Sequence, residues 1–251
     1  MLINYKHKFI FVGLPFSACS AISKELIERY GCEQILHKHA SIPALKKLRP
    51  EIRVEEYEIV VVVRDPVEMC QTTYSWLKEN RYDHFTDPEK RIENGGTVTR
   101  RHRELFKKIR DNKLTFEDYI NYSYSVIPYD SLLSENSKYV TKVIRFENLQ
   151  DEFKTVFKSL GLKIDRDIPA YNLTKNKNSF TAGEDLLGKV FSPFLMYNKK
   201  CYQESECFKK INSISAPISQ RLIFRALRII RRYHRLLLDK KLLGRKVSHI
   251  D

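Results

Sequence analysis

Val60-Val61-Val62-Val63-Arg64-Asp65-Pro66, followed by Thr72 eight residues after the arginine and then by Tyr74, is the stretch on which the fold turns. A run of β-branched residues reads as a buried strand, and Arg-Asp-Pro ends it abruptly. Pro66 suits the first turn of a following helix, where its missing N–H costs nothing. Arg64 then stands at the carboxyl end of a strand, where open α/β sheets hold their ligands. Thr72 falls on the following helix, so the two side chains are spaced to grip one phosphate from two sides. The plainer alternative is that Arg64 pairs with Asp65 or a neighbouring carboxylate and merely caps the sheet.

A second element lies upstream. Lys8-Phe9-Ile10-Phe11-Val12-Gly13 is a short apolar strand that runs through Leu14-Pro15-Phe16 into Ser17-Ala18-Cys19-Ser20-Ala21. Ile22, Leu26 and Ile27 then follow with helical spacing, Ser17 or Ser20 can cap that helix, and Gly31 can stop it. Strand, small-residue loop and helix outline an anion cradle, with unpaired amides at the positive end of a helix dipole. It is not a Walker A loop, because no Gly-Lys-Ser/Thr closes it. Alone, the pattern also fits a generic packing turn. The spacing predicts strands near 8–13, 57–63 and 140–146, and helices near 17–30, 42–49, 66–79, 101–111 and 149–160. Strand alternating with helix argues for an α/β fold with a parallel sheet flanked by helices.

In this order the two elements resemble the sulfotransferases that use 3′-phosphoadenosine 5′-phosphosulfate. There a Pro-Lys-Thr-Gly-Gly-Thr-Ser-like loop cradles the 5′-phosphate. A later strand ends in Arg-Asp-Pro, and its Arg and a Ser eight residues on hold the 3′-phosphate. The corresponding loop here is Pro15-Phe16-Ser17-Ala18-Cys19-Ser20-Ala21, and the second motif supplies Arg64 and Thr72. Lys142-Val143-Ile144-Arg145-Phe146-Glu147-Asn148-Leu149 looks like the family's late strand and Glu-Asn-Leu turn, and Ile168-Pro169-Ala170-Tyr171-Asn172 is similar to its Leu-Pro-x-x-Asn segment. The resemblance runs from about residue 8 to about residue 180. It implies a P-loop-like sheet, and donor contacts from Phe16, Ser17, Ala18, Cys19, Ser20, Ala21, Arg64 and Thr72. The implied reaction is sulfuryl transfer to a hydroxyl, carbohydrates being the expected acceptors, with no metal required.

Leu36-His37-Lys38-His39-Ala40 bears on catalysis. Alternate residues of an extended segment share a face, which would align His37 with His39. Sulfotransferases acting on the 2-hydroxyl of uronic acids have a similar His-x-His, one histidine being the general base. Histidine titrates near neutrality and suits that task. His39 is the expected base, with His37 assisting; a surface pair and a structural histidine are the alternatives. A metal pair lacks a third ligand at a recognisable spacing. One departure is serious, since Phe16 replaces the loop lysine that normally contacts the 5′-phosphate and the transferring group. Lys8, Lys24 and Lys38 are the nearby cations. Without a substitute, the chain would be a catalytically impaired binding or scaffold protein that kept the fold.

Composition fits this frame. The chain has 251 residues, 42% of them hydrophobic, enough for one α/β domain over residues 1–215 with a basic extension over 216–251. Its 45 Lys and Arg against 31 Asp and Glu give a net charge of +14, suited to an anionic nucleotide donor and an acidic glycan acceptor. Residues 218–243 read as an amphipathic basic helix. Arg221, Arg225, Arg228, Arg232 and Arg235 fall within an arc of roughly 80°. Packing on the domain is the first expectation for it, ahead of peripheral membrane contact or a partner. Nucleic acid is disfavoured, because neither zinc-finger spacing nor an aromatic strand motif is present. The polar segment 80–100 is expected to form a loop, either near the acceptor or as a plain connection. Five cysteines without a CxxC suit a reducing compartment, with Cys201 and Cys207 able to pair if the chain were secreted. No signal peptide or membrane-spanning run is evident, so a cytoplasmic protein is expected, with membrane association as the alternative.

Overall fold

The computed structural model describes residues 1–96, 98–122, 130–169, 182–203, 205, 206, 208 and 209. Five strands, β1 (Leu2–Asn4), β2 (Phe9–Val12), β3 (Glu33–Gln34), β4 (Glu58–Val63) and β5 (Lys142–Arg145), form one sheet in the order β3-β1-β2-β4-β5. β2, β4 and β5 run parallel, with Val12 opposite Val61 and Val63 opposite Arg145. Their carboxyl ends therefore lie side by side along one edge of the sheet. The sheet is mixed, not wholly parallel as the spacing predicts, because β1 pairs antiparallel with both β2 and β3. Only Tyr5–Lys8 separate β1 from β2, too few for a crossover, so the chain must turn straight back.

Strand alternation divides the apolar side chains between two cores. Ile10, Val12, Ile59, Val61 and Val63 enter one, while Phe9, Phe11, Val60, Val62 and Ile144 enter the other. Helices α1 (Cys19–Tyr30) and α7 (Leu149–Ser159) cover the second face through Ile22, Leu26, Phe153 and Phe157. The first face carries α2 (Ile42–Leu48), α3 (Pro66–Glu79), α4 (Arg100–Arg110), α5 (Phe116–Tyr122), α6 (Asp130–Asn136), α8 (Glu184–Tyr197) and α9 (Lys199–Tyr202). The result is three layers, helices on both sides of a buried sheet.

The decisive stretch folds as its residues dictate. β4 is buried along its last five residues, Arg64 follows, and Asp65 caps α3 by accepting from the amides of Val67 (2.7 Å) and Glu68 (3.3 Å). Pro66 takes the first helical position. Segment 80–100 forms three short 3₁₀ turns, pinned by Phe85, which lies in the core against Trp76 and stacks on Phe106. Among the described residues, Cys19, Cys32, Cys70 and Cys201 are free thiols, all buried. No described helix is long and apolar enough to cross a membrane. Residues 216–251, over which the basic helix is expected, lie outside the described residues, as do Cys207 and Ala170-Tyr171-Asn172.

Candidate functional site

Three loops meet at the carboxyl edge of β2, β4 and β5. The first, Gly13 to Ala18, is shaped by backbone conformation. Phe16 (φ 61°) and Ala18 (φ 54°) both adopt left-handed geometry, which is rare for residues other than glycine and costs roughly 1–2 kcal/mol each. Ala18 occupies the cap position of α1 and offers no side-chain cap. The expectation of a serine cap is thus corrected. Ser17 is fully buried and its hydroxyl donates to the Leu14 carbonyl at 2.6 Å, closing the loop on itself. Ser20 lies inside the first turn. The side chains of Ser17, Cys19 and Ala21 point inward, and burial pushes the Cys19 thiol up from its ordinary value. What this loop presents outward is backbone and the exposed Ser20. The amides of Cys19, Ser20 and Ala21 have no carbonyl one turn back, as at any helix start.

Phe16 packs against a neighbouring helix. Its ring meets Trp76 of α3 edge-on at 5.8 Å, and Trp76 in turn contacts His84 at 4.5 Å. Segment 80–100 thereby adjoins the first loop, separated from it by one aromatic layer.

The second loop carries Arg64, which is only 6% exposed. Its guanidinium lies 4.3 Å over the Phe146 ring, donates from Nη1 to the Phe16 carbonyl (3.3 Å), and pairs through Nη2 with Glu68 (3.3 Å). Its own carbonyl accepts from the Tyr202 hydroxyl at 3.1 Å. The Thr72 hydroxyl donates to the Glu68 carbonyl one turn back at 2.9 Å. Arg64, Glu68 and Thr72 thus follow one another at four-residue steps from the turn along α3. The neighbouring carboxylate foreseen as the plainer alternative is present, and it is Glu68. The third loop is the Glu-Asn-Leu turn after β5, where Glu147 accepts from the Asp65 amide at 2.7 Å and ties the second and third loops together.

The two histidines come from segment 37–40, which crosses over the first loop. It forms a tight turn, Ala40 N–H donating to the His37 carbonyl at 2.8 Å, and is not the extended segment that alternation assumed. The rings nonetheless meet edge-on at 5.6 Å, because the His37 imidazole folds back and its Nδ1 accepts from the His39 amide at 3.2 Å. His39 Nδ1 lies 2.7 Å from the Gly13 carbonyl. A carbonyl only accepts, so Nδ1 carries the proton and the lone pair of the neutral ring resides on Nε2. Burial pushes His39 down to about 4, against the opposing pull of the Gly13 carbonyl and with help from the nearby Lys38 charge. Gly13 makes this crossing possible, since a Cβ there would meet the Lys38 carbonyl at 2.9 Å and the Cys19 Cβ at 3.2 Å.

The structure therefore brings loop 16–21, Arg64 and His39 into one neighbourhood, with His37 beside His39 and Thr72 two turns along α3. Sequence reasoning did not assign Glu68, Phe146, Glu147 or Tyr202. Glu68 was legible in principle as a carboxylate four residues after Arg64 on a helix. The Tyr202 contact bridges 138 residues and leaves no local signal. Among the described residues no group of three or more His, Cys, Asp or Glu is placed to hold a metal ion. Comparison with protein-family models, with curated proteins and with solved structures found no match.

Proposed function

We propose that the protein is a P-loop-like sulfotransferase that moves a sulfuryl group from 3′-phosphoadenosine 5′-phosphosulfate to a hydroxyl, most suitably of a carbohydrate. The observation that carries this reading is the buried Arg64 at the carboxyl end of a central parallel strand, bonded to the backbone of a small-residue loop that opens a helix. Anions favour such a corner because helix-start amides and a fixed guanidinium converge on it. In this reading the backbone of loop 16–21 holds the donor's 5′-phosphate, while Arg64 and Thr72 hold its 3′-phosphate. The 3′-phosphate enters by displacing the Glu68 carboxylate from Arg64.

His39 is the general base of the proposed reaction. Its Nε2 takes the proton of the acceptor hydroxyl as that oxygen bonds to sulfur. The bond from sulfur to the bridging phosphate oxygen breaks, and its electron pair stays on the 3′,5′-bisphosphate product. His37 orients the turn that carries His39 through the bond between its ring and the His39 amide. Trp76 and His84 supply aromatic surface beside the cradle, suited to the apolar face of a sugar ring. The net charge of +14 suits an acidic acceptor.

A second reading, a binding or scaffold protein that keeps the fold without turnover, is favoured by two observations. Phe16 stands where the resemblance expects a lysine, and Arg64 is already paired with Glu68. Calorimetric titration with 3′-phosphoadenosine 5′-phosphate, with 5′-AMP and ATP as controls, tests the donor site. Selective binding of the bisphosphate is expected. Equal or absent binding of all three overturns the sulfotransferase reading and leaves the scaffold in its place.

A further inference from the structure

We propose that Lys38 supplies the positive charge at the cradle that Phe16 does not, contacting the donor's 5′-phosphate and, during transfer, the oxygen from which the sulfuryl group departs. The assignment rests on the donor-site reading above and adds to it a residue from a different segment of the chain.

The geometry selects Lys38 from the three nearby cations. Lys8 precedes β2, at the opposite end of that strand from the cradle, and there it pairs with Glu56 (3.8 Å) and lies over the Tyr57 ring (4.9 Å). Lys24 is more than a turn into α1 and pairs with Glu28 at 3.8 Å. Lys38 instead projects from the turn that crosses the loop, and its Nζ donates to Ser20 Oγ at 3.5 Å. Ser20 belongs to the first turn of α1, so the ammonium stands beside the helix-start amides. The ammonium is also near enough to act on both Cys19 and His39.

The position of Lys38 is built rather than incidental. Its carbonyl rests on Gly13 so closely that no Cβ fits between them, and the His39 imidazole bonds to the Gly13 carbonyl. Two contacts thus dock the turn onto Gly13, one from the Lys38 carbonyl and one from the ring of the next residue. Phe16 is engaged elsewhere, its ring on Trp76 and its carbonyl bonded by Arg64. The loop has given residue 16 to packing, and the neighbouring turn places an ammonium over the same helix start. A preorganised cation aimed at developing charge is among the larger contributions to a transfer reaction.

The two charges then divide the donor between them. Lys38 serves the 5′ end and Arg64 the 3′ end, so their loss is read with different ligands. Titrations of wild type, Lys38→Ala, Lys38→Arg and Arg64→Ala with 3′-phosphoadenosine 5′-phosphate and with 3′-AMP test this. Lys38→Ala is expected to weaken the bisphosphate roughly 10-fold or more while leaving 3′-AMP within about two-fold, and Lys38→Arg to retain most of the affinity. Lys38 is exposed in a turn, and an unchanged melting temperature verifies that Lys38→Ala folds. Wild-type binding that Lys38→Ala leaves unaltered overturns the Lys38 assignment alone. Equal weakening of both ligands overturns it too, since the lysine would then act without regard to the 5′ group. Failure of the wild type to bind the bisphosphate overturns the donor site and this assignment together.

Discussion

The loop after β2 and the turn after β4 sit side by side at one edge of the sheet, yet they are built from opposite materials. The first is a backbone device. Two non-glycine residues take left-handed geometry, Ser17 is tucked under, and no charged side chain of its own faces out. The second is a side-chain device, in which Asp65 caps a helix, Arg64 spans to the neighbouring loop, and Glu147 clamps the turn. The difference teaches that a site can take its shape from one element and its charge from another. Variants in either should therefore fail in distinguishable ways.

The largest effect is expected at neither loop but at the turn laid over the first of them. His39→Ala should reduce sulfuryl transfer by about 10²–10⁴ while leaving bisphosphate affinity near wild type. The pH profile sharpens the test. His39 is held down to about 4, so it is neutral and able to accept a proton throughout the physiological range. The acid limb of kcat/KM, which reports the free enzyme, should fall near pH 4 rather than near the ordinary imidazole value of about 6.5. The same shift bears on stability. Between pH 6.5 and 4 the unfolded chain takes up a proton here that the folded chain does not, so stability contributed by this group falls as pH falls through that window. An acid limb at the ordinary imidazole position would remove the half-buried His39 from the mechanism.

Next in size is Arg64→Ala, which should cost the bisphosphate about 100-fold in affinity and change 5′-AMP little, because two charge-assisted contacts are lost at the 3′ end only. Equal losses for both ligands would sink the 3′-phosphate assignment. Glu68 gives the smaller, opposite effect. Its carboxylate now occupies Arg64, and a phosphate must displace it. Glu68→Gln should therefore tighten bisphosphate binding several-fold, since the Glu68 side chain is 40% exposed and a pair with one solvated partner is worth about 1 kcal/mol. Weaker binding in this variant would make Glu68 a contributor to the donor site rather than a competitor.

The strand, turn and helix that carry the side-chain device were legible in the sequence, whereas its ties to Glu68 and Glu147 and the whole of the backbone device were not. Four valines before Arg-Asp-Pro specify a buried strand, its end and the helix after it, and all three are found where the pattern puts them. The strands at 8–13, 57–63 and 140–146 and the helices predicted between them were likewise readable, because each carries its own periodicity. β1 and β3 were missed, being two or three residues long and set by pairing rather than pattern. The Gly13–Ala18 loop was found but its cap was misread. Nothing local says that Ser17 turns inward, or that Phe16 and Ala18 adopt conformations their side chains disfavour. Segment 37–40 was read as extended because alternation cannot detect a turn. The two histidines still meet, through a bond between the His37 ring and the His39 amide that no spacing rule contains.

The smallest effect separates shape from charge most cleanly, because it concerns backbone alone. Ala18 holds φ 54° and ψ 17° at the start of α1, where a glycine would sit without steric cost. Ala18→Gly relieves about 1–2 kcal/mol of left-handed strain. It also gives back part of that through the greater freedom of the unfolded chain and the lost packing of a half-buried methyl against the α1 core. The net is a gain of about 0.5 kcal/mol, a rise of roughly 1–2 °C in melting temperature for a chain of this size. Ala18→Val runs the other way, since a β-branched residue is a poor fit to left-handed geometry, and should lower the melting temperature by several degrees. If the loop holds the donor through its backbone, the valine variant should also lose bisphosphate affinity although it alters no charge. A glycine variant that melts below wild type would mean that the left-handed cap costs nothing, and the contrast between the two loops would then rest on their side chains alone.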